Sequence, residues 1–422
     1  MDLRAHLDLD VVAHQADDQL SVLVELAAPA VPADATRLPS TLVVVLDRSG
    51  SMRGDRIGAA KTALASIVDR LDPRDRFGLV TFDNRVEIPV PAGPLTGKRA
   101  VKQAIGAVDA RDSTDLSAGY LRGLQEARRA AADGGTTVLL ISDGRANAGI
   151  QDPERLGNVA RKAHADGTTT TTLGMGLNYD ERLMSAIAAG GAGNELFAEN
   201  ADQAVEHIAG ELTGLLSMAA QAGSLLLRMT PHVRAVRVLN ELSSTAVSDG
   251  ILLELGSFYA GEARKLVLTF DIPGIPALGL AEIASLEFSY VALPALEQQT
   301  ITVPLHVNVV PGDQAAGRVP DPVVRTEVAF QQAQRAKREA SSALSAGDVS
   351  SAESSLRAAR AIVEDACAFA PPAPAAELRD ELAVLSQLEE EVRSGDVSRA
   401  AKRSSMDASY KSRSSRGRRG PE

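Results

Sequence analysis

The chain has one cysteine, no tryptophan and few aromatic rings, and these scarcities set the first limits on what it can do. With Cys367 alone, an intrachain disulfide and a thiolate metal cluster are excluded, and a reducing compartment fits. Aromatics at 3% mean that cores are built from Ala, Val, Leu and Ile, and they argue against a ring-stacking platform for single-stranded nucleic acid. Positive charge is also in deficit. The net charge of -11 speaks against general affinity for nucleic acid or for an anionic membrane surface. Long apolar runs are missing too: MDLRAHLDLDVVAHQADDQL alternates polar with apolar residues and offers neither a signal peptide nor a membrane span. The expected location is the cytoplasm.

What is present is ordinary globular material, 45% hydrophobic and 23% charged. A length of 422 residues corresponds to roughly two to four domains. Residues 3–12 and 20–26 alternate with period two around the polar turn QADD, which predicts a hairpin. After a Pro- and Ala-rich linker, LVVVL at 42–46 is apolar at every position, as suits a strand buried on both faces of a parallel sheet. A helix at about 55–71, a strand at 77–82, an edge segment RVEIPV containing Pro89, and strands at 136–142 and 168–175 follow, with helices between them. That alternation predicts βαβ units and a doubly wound, mainly parallel sheet, with ligands beyond the carboxyl ends of its strands.

From about 223 the strands follow one another without helices, which predicts a β-sandwich. The N-terminal hairpin would have unpaired edges on its own, so it is expected to complete the sandwich, with the α/β domain inserted into it. The last hundred residues read as helical hairpins. Asp321-Pro322 starts the first helix, and the tetrapeptide GDVS closes one helix and opens the next at both 347–350 and 395–398. The expected division is an N-terminal β-hairpin over 1–36, an α/β domain over 40–220, a sandwich over 223–312, an α-helical region over 321–403 and a tail over 404–422. The tail holds Lys411, Arg413, Arg416, Arg418 and Arg419 among Ser and Gly, and reads as disordered and solvated, with contact to an acidic partner as the alternative.

The chemistry concentrates in LVVVLDRSGSM, where Asp47, Ser49 and Ser51 leave the buried strand together and Gly50 permits a tight turn. ARDSTDLSAGYLRGL places Thr114 in a polar loop before a helix, and VLLISDGRANAG ends a second buried strand at Asp143. All five donors are hard oxygens, a set that selects magnesium, manganese or calcium over zinc. Singly, such residues are common caps and turn formers. Asp115 is read either as a hydrogen-bond acceptor behind the metal or as a simple cap, and Asp112 and Asp83 as solvated.

The order D-x-S-x-S, a Thr in a later loop and an Asp after a further strand resembles the metal-ion-dependent adhesion site of von Willebrand factor A domains, over about residues 40–220. The resemblance implies a divalent cation surrounded by Asp47, Ser49, Ser51, Thr114 and Asp143. The flanking strands and helices resemble bacterial proteins often labelled calcium-activated chloride channel homologues, without implying channel activity. Two carboxylates and three neutral hydroxyls leave a cation electrophilic enough to take an Asp or Glu carboxylate from a protein partner. The expected function is therefore metal-dependent protein binding and scaffolding rather than catalysis; a third reading, by resemblance to some relatives, is that the α/β domain serves a cytoplasmic assembly, for example as the partner of an AAA-type ATPase. Coupling from the site through the last helix of the α/β domain to the sandwich is a further expectation. The rival is a magnesium-dependent phosphohydrolase with Asp47 as nucleophile, but Ser49 stands where such an enzyme needs a general acid. The G-x-G at 174–176 is too weak a signal to imply a nucleotide, and no P-loop motif occurs.

Overall fold

The computed structural model describes residues 1–30, 37–111, 114–144 and 146–414. Three strands come first: β1 (Asp2–Leu7), β2 (Val11–Ala13) and β3 (Asp18–Ala27). The α/β segment then runs β4 (Thr41–Asp47), α1 (Asp55–Arg70), β5 (Arg76–Phe82), β6 (Val86–Pro94), α2 (Lys98–Gly106), α3 (Leu116–Arg129) and β7 (Thr136–Ser142). It continues through α4 (Pro153–Ala165), β8 (Thr168–Met175), α5 (Glu181–Gly190), β9 (Ala192–Ala198) and α6 (Ala201–Leu216).

Its six strands lie in the order β6-β5-β4-β7-β8-β9, parallel except for β6 at the edge, where Pro89 and Pro91 are tolerated. The chain leaves β4 toward β5 on one side and later returns to β7 on the other, so the strand order reverses between β4 and β7. The all-apolar run of β4 serves both faces of this sheet. Leu42, Val44 and Leu46 pack with Ile57, Leu64 and Ile67 of α1, whereas Val43 and Val45 pack toward Leu116 and Tyr120 of α3.

Two glycines one helical turn apart let α3 lie close against the sheet. A Cβ on Gly123 would come within 2.2 Å of Val45 Cγ2, and one on Gly119 within 2.5 Å of the Phe82 ring. This approach fixes the height at which Thr114, just ahead of α3, meets the end of β4.

Seven strands follow: β10 (Met218–Met229), β11 (Ala235–Val238), β12 (Ser244–Val247), β13 (Gly250–Tyr259), β14 (Ala263–Ile272), β15 (Gly279–Ala292) and β16 (Glu297–Val310). Together with β1, β2 and β3 they form two sheets, β1-β3-β14-β11 and β12-β13-β10-β15-β16-β2, which share one apolar core. In β3, Val22, Val24 and Leu26 join that core, while Leu23 packs outward with Val267 and Val324. The expected single strand over 3–12 is two strands in different sheets: β1 pairs antiparallel with β3, and β2 pairs parallel with β16. Local alternation cannot register that break, because β1 is held by nearby β3 while β2 is drawn to β16, far along the chain.

A short helix, α7 (Gly312–Ala315), leads to α8 (Pro322–Ser345), α9 (Val349–Cys367), α10 (Pro372–Arg393) and α11 (Val397–Ser414). Asp321 caps α8 by accepting from the backbone of Val323 and Val324. The two GDVS repeats are helix stops and starts: Gly347 and Gly395 take φ of +81° and +89°, and Asp348 accepts from Ser351 N at 3.0 Å.

The tail expected from 404 onward is corrected. Through Ser414 the chain is helical, and Lys411 is buried against Glu381 at 2.6 Å and Asp407 at 3.0 Å. Residues 415–422, with Arg416, Arg418 and Arg419, lie outside the described residues. Among the described residues no helix is long and apolar enough to cross a membrane.

Candidate functional site

The carboxyl ends of β4 and β7 adjoin at the point where strand order reverses, the position at which open α/β sheets characteristically hold ligands. Asp47 is the last residue of β4 and Asp143 follows β7 directly. Both are fully buried. Asp47 Oδ1 accepts from Ser49 N at 2.7 Å and Oδ2 from the Ser142 hydroxyl at 2.6 Å. Burial pushes the Asp47 carboxyl up to about 6, although the bonds from Ser142 and Ser49 pull it down. The Ser51 hydroxyl lies 3.0 Å from Ser49 Oγ and donates to Asp143 Oδ1 at 2.7 Å.

Thr114 arrives from the loop ahead of α3. Its N–H donates to Asn147 Oδ1 at 3.2 Å and its carbonyl accepts from Asn147 N at 3.3 Å, so the loop after β7 clamps the loop before α3. Gly144 shows where these side chains point. A Cβ built there would lie 3.4 Å from Ser51 Oγ, 3.7 Å from Thr114 Oγ1 and 3.9 Å from Ser49 Oγ. Three hydroxyls, two from the turn after β4 and one from the loop before α3, therefore face one small space that a side chain at 144 would enter, beside two buried carboxylates. Hard neutral and anionic oxygens around such a space suit a small divalent cation. Among the described residues no group of three His, Cys, Asp or Glu could hold a metal, so a cation here depends on the hydroxyls.

Asp83 is not solvated as the sequence reading expects. It is 1% exposed, and its Oδ2 lies 2.9 Å from Nε of Arg48, which is itself buried. Arg48 also donates to Glu87 Oε2 at 2.7 Å, and this bond, with the Arg111 guanidinium nearby, holds the Glu87 carboxyl down at about 2. The backbone continues the brace: Arg48 N donates to Phe82 O, Arg111 N to Arg48 O, and Asp115 N to Asp83 O. Arg48, between two site residues in sequence, thus ties the turn after β4 to the neighbouring loops. Asp115 is a helix cap, accepting from Ala118 N at 3.0 Å and from the Ser117 hydroxyl at 2.8 Å. Asp112 lies outside the described residues.

Sequence reasoning also missed Ser142, Asn147 and Arg56. The first two are visible only as polar residues flanking Asp143. Arg56, on the first turn of α1, places Nη1 2.5 Å from Asp143 Oδ2, a pairing across 87 residues that no local pattern reveals.

A sequence model of the von Willebrand factor type A domain family matches residues 41–211. The chain is 29% identical to the uncharacterized protein sll0103 of Synechocystis sp. over 65% of its own length and 68% of that protein. To the uncharacterized protein YfbK of Escherichia coli it is 33% identical over 43% of its length, a match spanning 32% of YfbK. In structure it is similar to the von Willebrand factor type A protein from Catenulispora acidiphila, with a TM-score of 0.73 at 16% identity, covering 92% of this chain and 89% of that one. The parallel sheet with its flanking helices and the family match agree in extent, and residues 41–211 are a von Willebrand factor type A domain.

Proposed function

We propose that this domain is a metal-dependent protein-binding module, in which a divalent cation held by Asp47, Ser49, Ser51, Thr114 and Asp143 receives a carboxylate from an Asp or Glu of a protein partner. The observation that carries the reading is the convergence of the Ser49, Ser51 and Thr114 hydroxyls on the space beside Gly144, above two buried carboxylates. Magnesium, manganese or calcium would supply the electrophile that this oxygen set cannot provide itself. The protein's part is to fix the donors. Ser142 and the Ser49 N–H orient Asp47, the Ser51 hydroxyl orients Asp143, and Asn147 holds the Thr114 loop in place.

The phosphohydrolase alternative is disfavoured by the same geometry. A nucleophilic carboxylate must reach substrate, yet Asp47 is fully buried and both its oxygens accept hydrogen bonds. Ser49, two residues on, has no acid to offer at neutral pH.

Calorimetric titration of the full chain with Mg2+, Mn2+ and Ca2+ tests the reading, with Ser49→Ala and Ser51→Ala as controls. Saturable uptake by the native chain that weakens in both variants supports it. No uptake of any of the three cations overturns it, as does phosphatase turnover abolished by Asp47→Asn.

A further inference from the structure

The five-residue oxygen set has a sixth neighbour of opposite charge. The buried Asp143 carboxylate is shared: Oδ1 accepts the Ser51 hydroxyl at 2.7 Å, and Oδ2 faces Arg56 Nη1 at 2.5 Å. The same nitrogen donates to the Ser51 carbonyl at 3.1 Å, which ties the guanidinium to the turn that carries two of the hydroxyls. Its other edge lies over the backbone after β8, where a Cβ on Gly176 would come within 2.8 Å of Nη2. Arg56 is therefore held from three directions. Its side chain nevertheless stays 36% exposed while that of Asp143 is closed off, so Arg56 links the buried carboxylate to the surface beside the site.

The charges decide what this placement does. Asp47 and Asp143 together match the two charges of a divalent cation, and the guanidinium adds a further positive charge in contact with one of them. That charge has two opposite consequences. It repels an incoming cation and occupies an oxygen of Asp143, so it weakens cation uptake. With a cation held by the oxygen set, the surplus positive charge would remain at Arg56 beside Asp143, where its planar donor fork would suit an incoming carboxylate.

Building on the metal-dependent reading above, the geometry points to Arg56 as a specificity residue that lowers affinity for the cation and raises the selectivity of the loaded site for an anionic group, an Asp or Glu carboxylate of the partner. A helix-surface arginine with a purely structural role has neither effect.

The test uses the full chain with Arg56→Gln and Arg56→Lys, Mn2+ alone as the first probe and acetate added to the Mn2+-saturated protein as the second. Calorimetry gives the Mn2+ affinity, and water-proton relaxation of the bound Mn2+ reports acetate. Arg56→Gln is expected to bind Mn2+ about tenfold more tightly and acetate about tenfold more weakly. Arg56→Lys, which keeps the charge but loses the fork, should stay near the native chain for Mn2+ and fall between the two for acetate. The opposed signs are the signature. If both affinities fall together in Arg56→Gln, or neither moves while its thermal transition matches the native one, the assignment is overturned. If the native chain takes up no Mn2+, the cation-binding reading itself fails, a result distinct from an Arg56 effect of the wrong sign.

Discussion

Replacing Glu195 with Gln should change how stability depends on pH. Glu195 lies in β9 beneath α11, where the Ser405 hydroxyl is 3.1 and 3.2 Å from its two oxygens. Burial pushes its carboxyl from 4.5 up to about 7, against hydrogen bonds from Ser185, Ser405 and Ser409 that lower it, and Glu241 adds to the rise. The folded protein thus keeps this proton to about pH 7, whereas the unfolded chain releases it near 4.5. Stability from this group is fully present below 4.5, is lost as pH rises through that window, and is flat above about 7. A shift of this size corresponds to about 3 kcal/mol between the two ends of the window. Glutamine keeps the shape and cannot ionise, so the variant should gain on the native chain by up to that amount at pH 8 and by much less at pH 4.5. Asp47, raised to about 6, contributes a slope of the same sign over a lower window, but it is common to both chains and cancels in the difference. Urea unfolding of both chains from pH 4.5 to 8, with hydrogen exchange over α11 as a local readout, measures the difference directly. A gap that stays constant across this range would refute the claim that Glu195 is a desolvated, proton-holding carboxyl.

Other perturbations follow from single contacts. Lys337 and Glu381 are fully buried and paired, and Asp407 also meets Lys337, so Lys337→Ala leaves two carboxylates sharing Lys411 alone and should cost up to about 3–5 kcal/mol. Chemical denaturation checks this, and a loss below about 1 kcal/mol would contradict it. Gly144→Ala places its methyl 3.4–3.9 Å from three hydroxyls, distances that need no rearrangement, so the chain should melt as before while calorimetry finds divalent uptake reduced by at least about tenfold. Gly123→Val drives a side chain into Val45 and should lower stability by about 1–3 kcal/mol or more, with cation affinity falling because Thr114 moves with α3. Lys402→Ala removes bonds to Tyr179 O at 3.0 Å and Glu181 at 2.6 Å, and hydrogen exchange of α11 should rise while β4 stays protected.

The amino-acid sequence alone determined the parts of this protein that depend on near neighbours. An apolar run followed at once by D-x-S-x-S marks β4 and the turn after it, since a strand apolar on every residue must be covered on both faces. Asp321-Pro322 and GDVS mark helix boundaries because capping is a matter of two or three residues. Tertiary structure decided what a charged residue does. Asp83 resembles any solvated loop acid until Arg48 is found against it, and Lys411 resembles tail charge until Glu381 and Asp407 enclose it. Arg56 is one more basic residue on a helix until β7 brings Asp143 to it. The β1/β2 break and the sheet that β3 joins are likewise set by β14 and β16, far along the chain. A buried charge is tolerated when a counter-charge or hydrogen-bond donors meet it, and that meeting is a property of the fold, which no pattern within a few residues encodes.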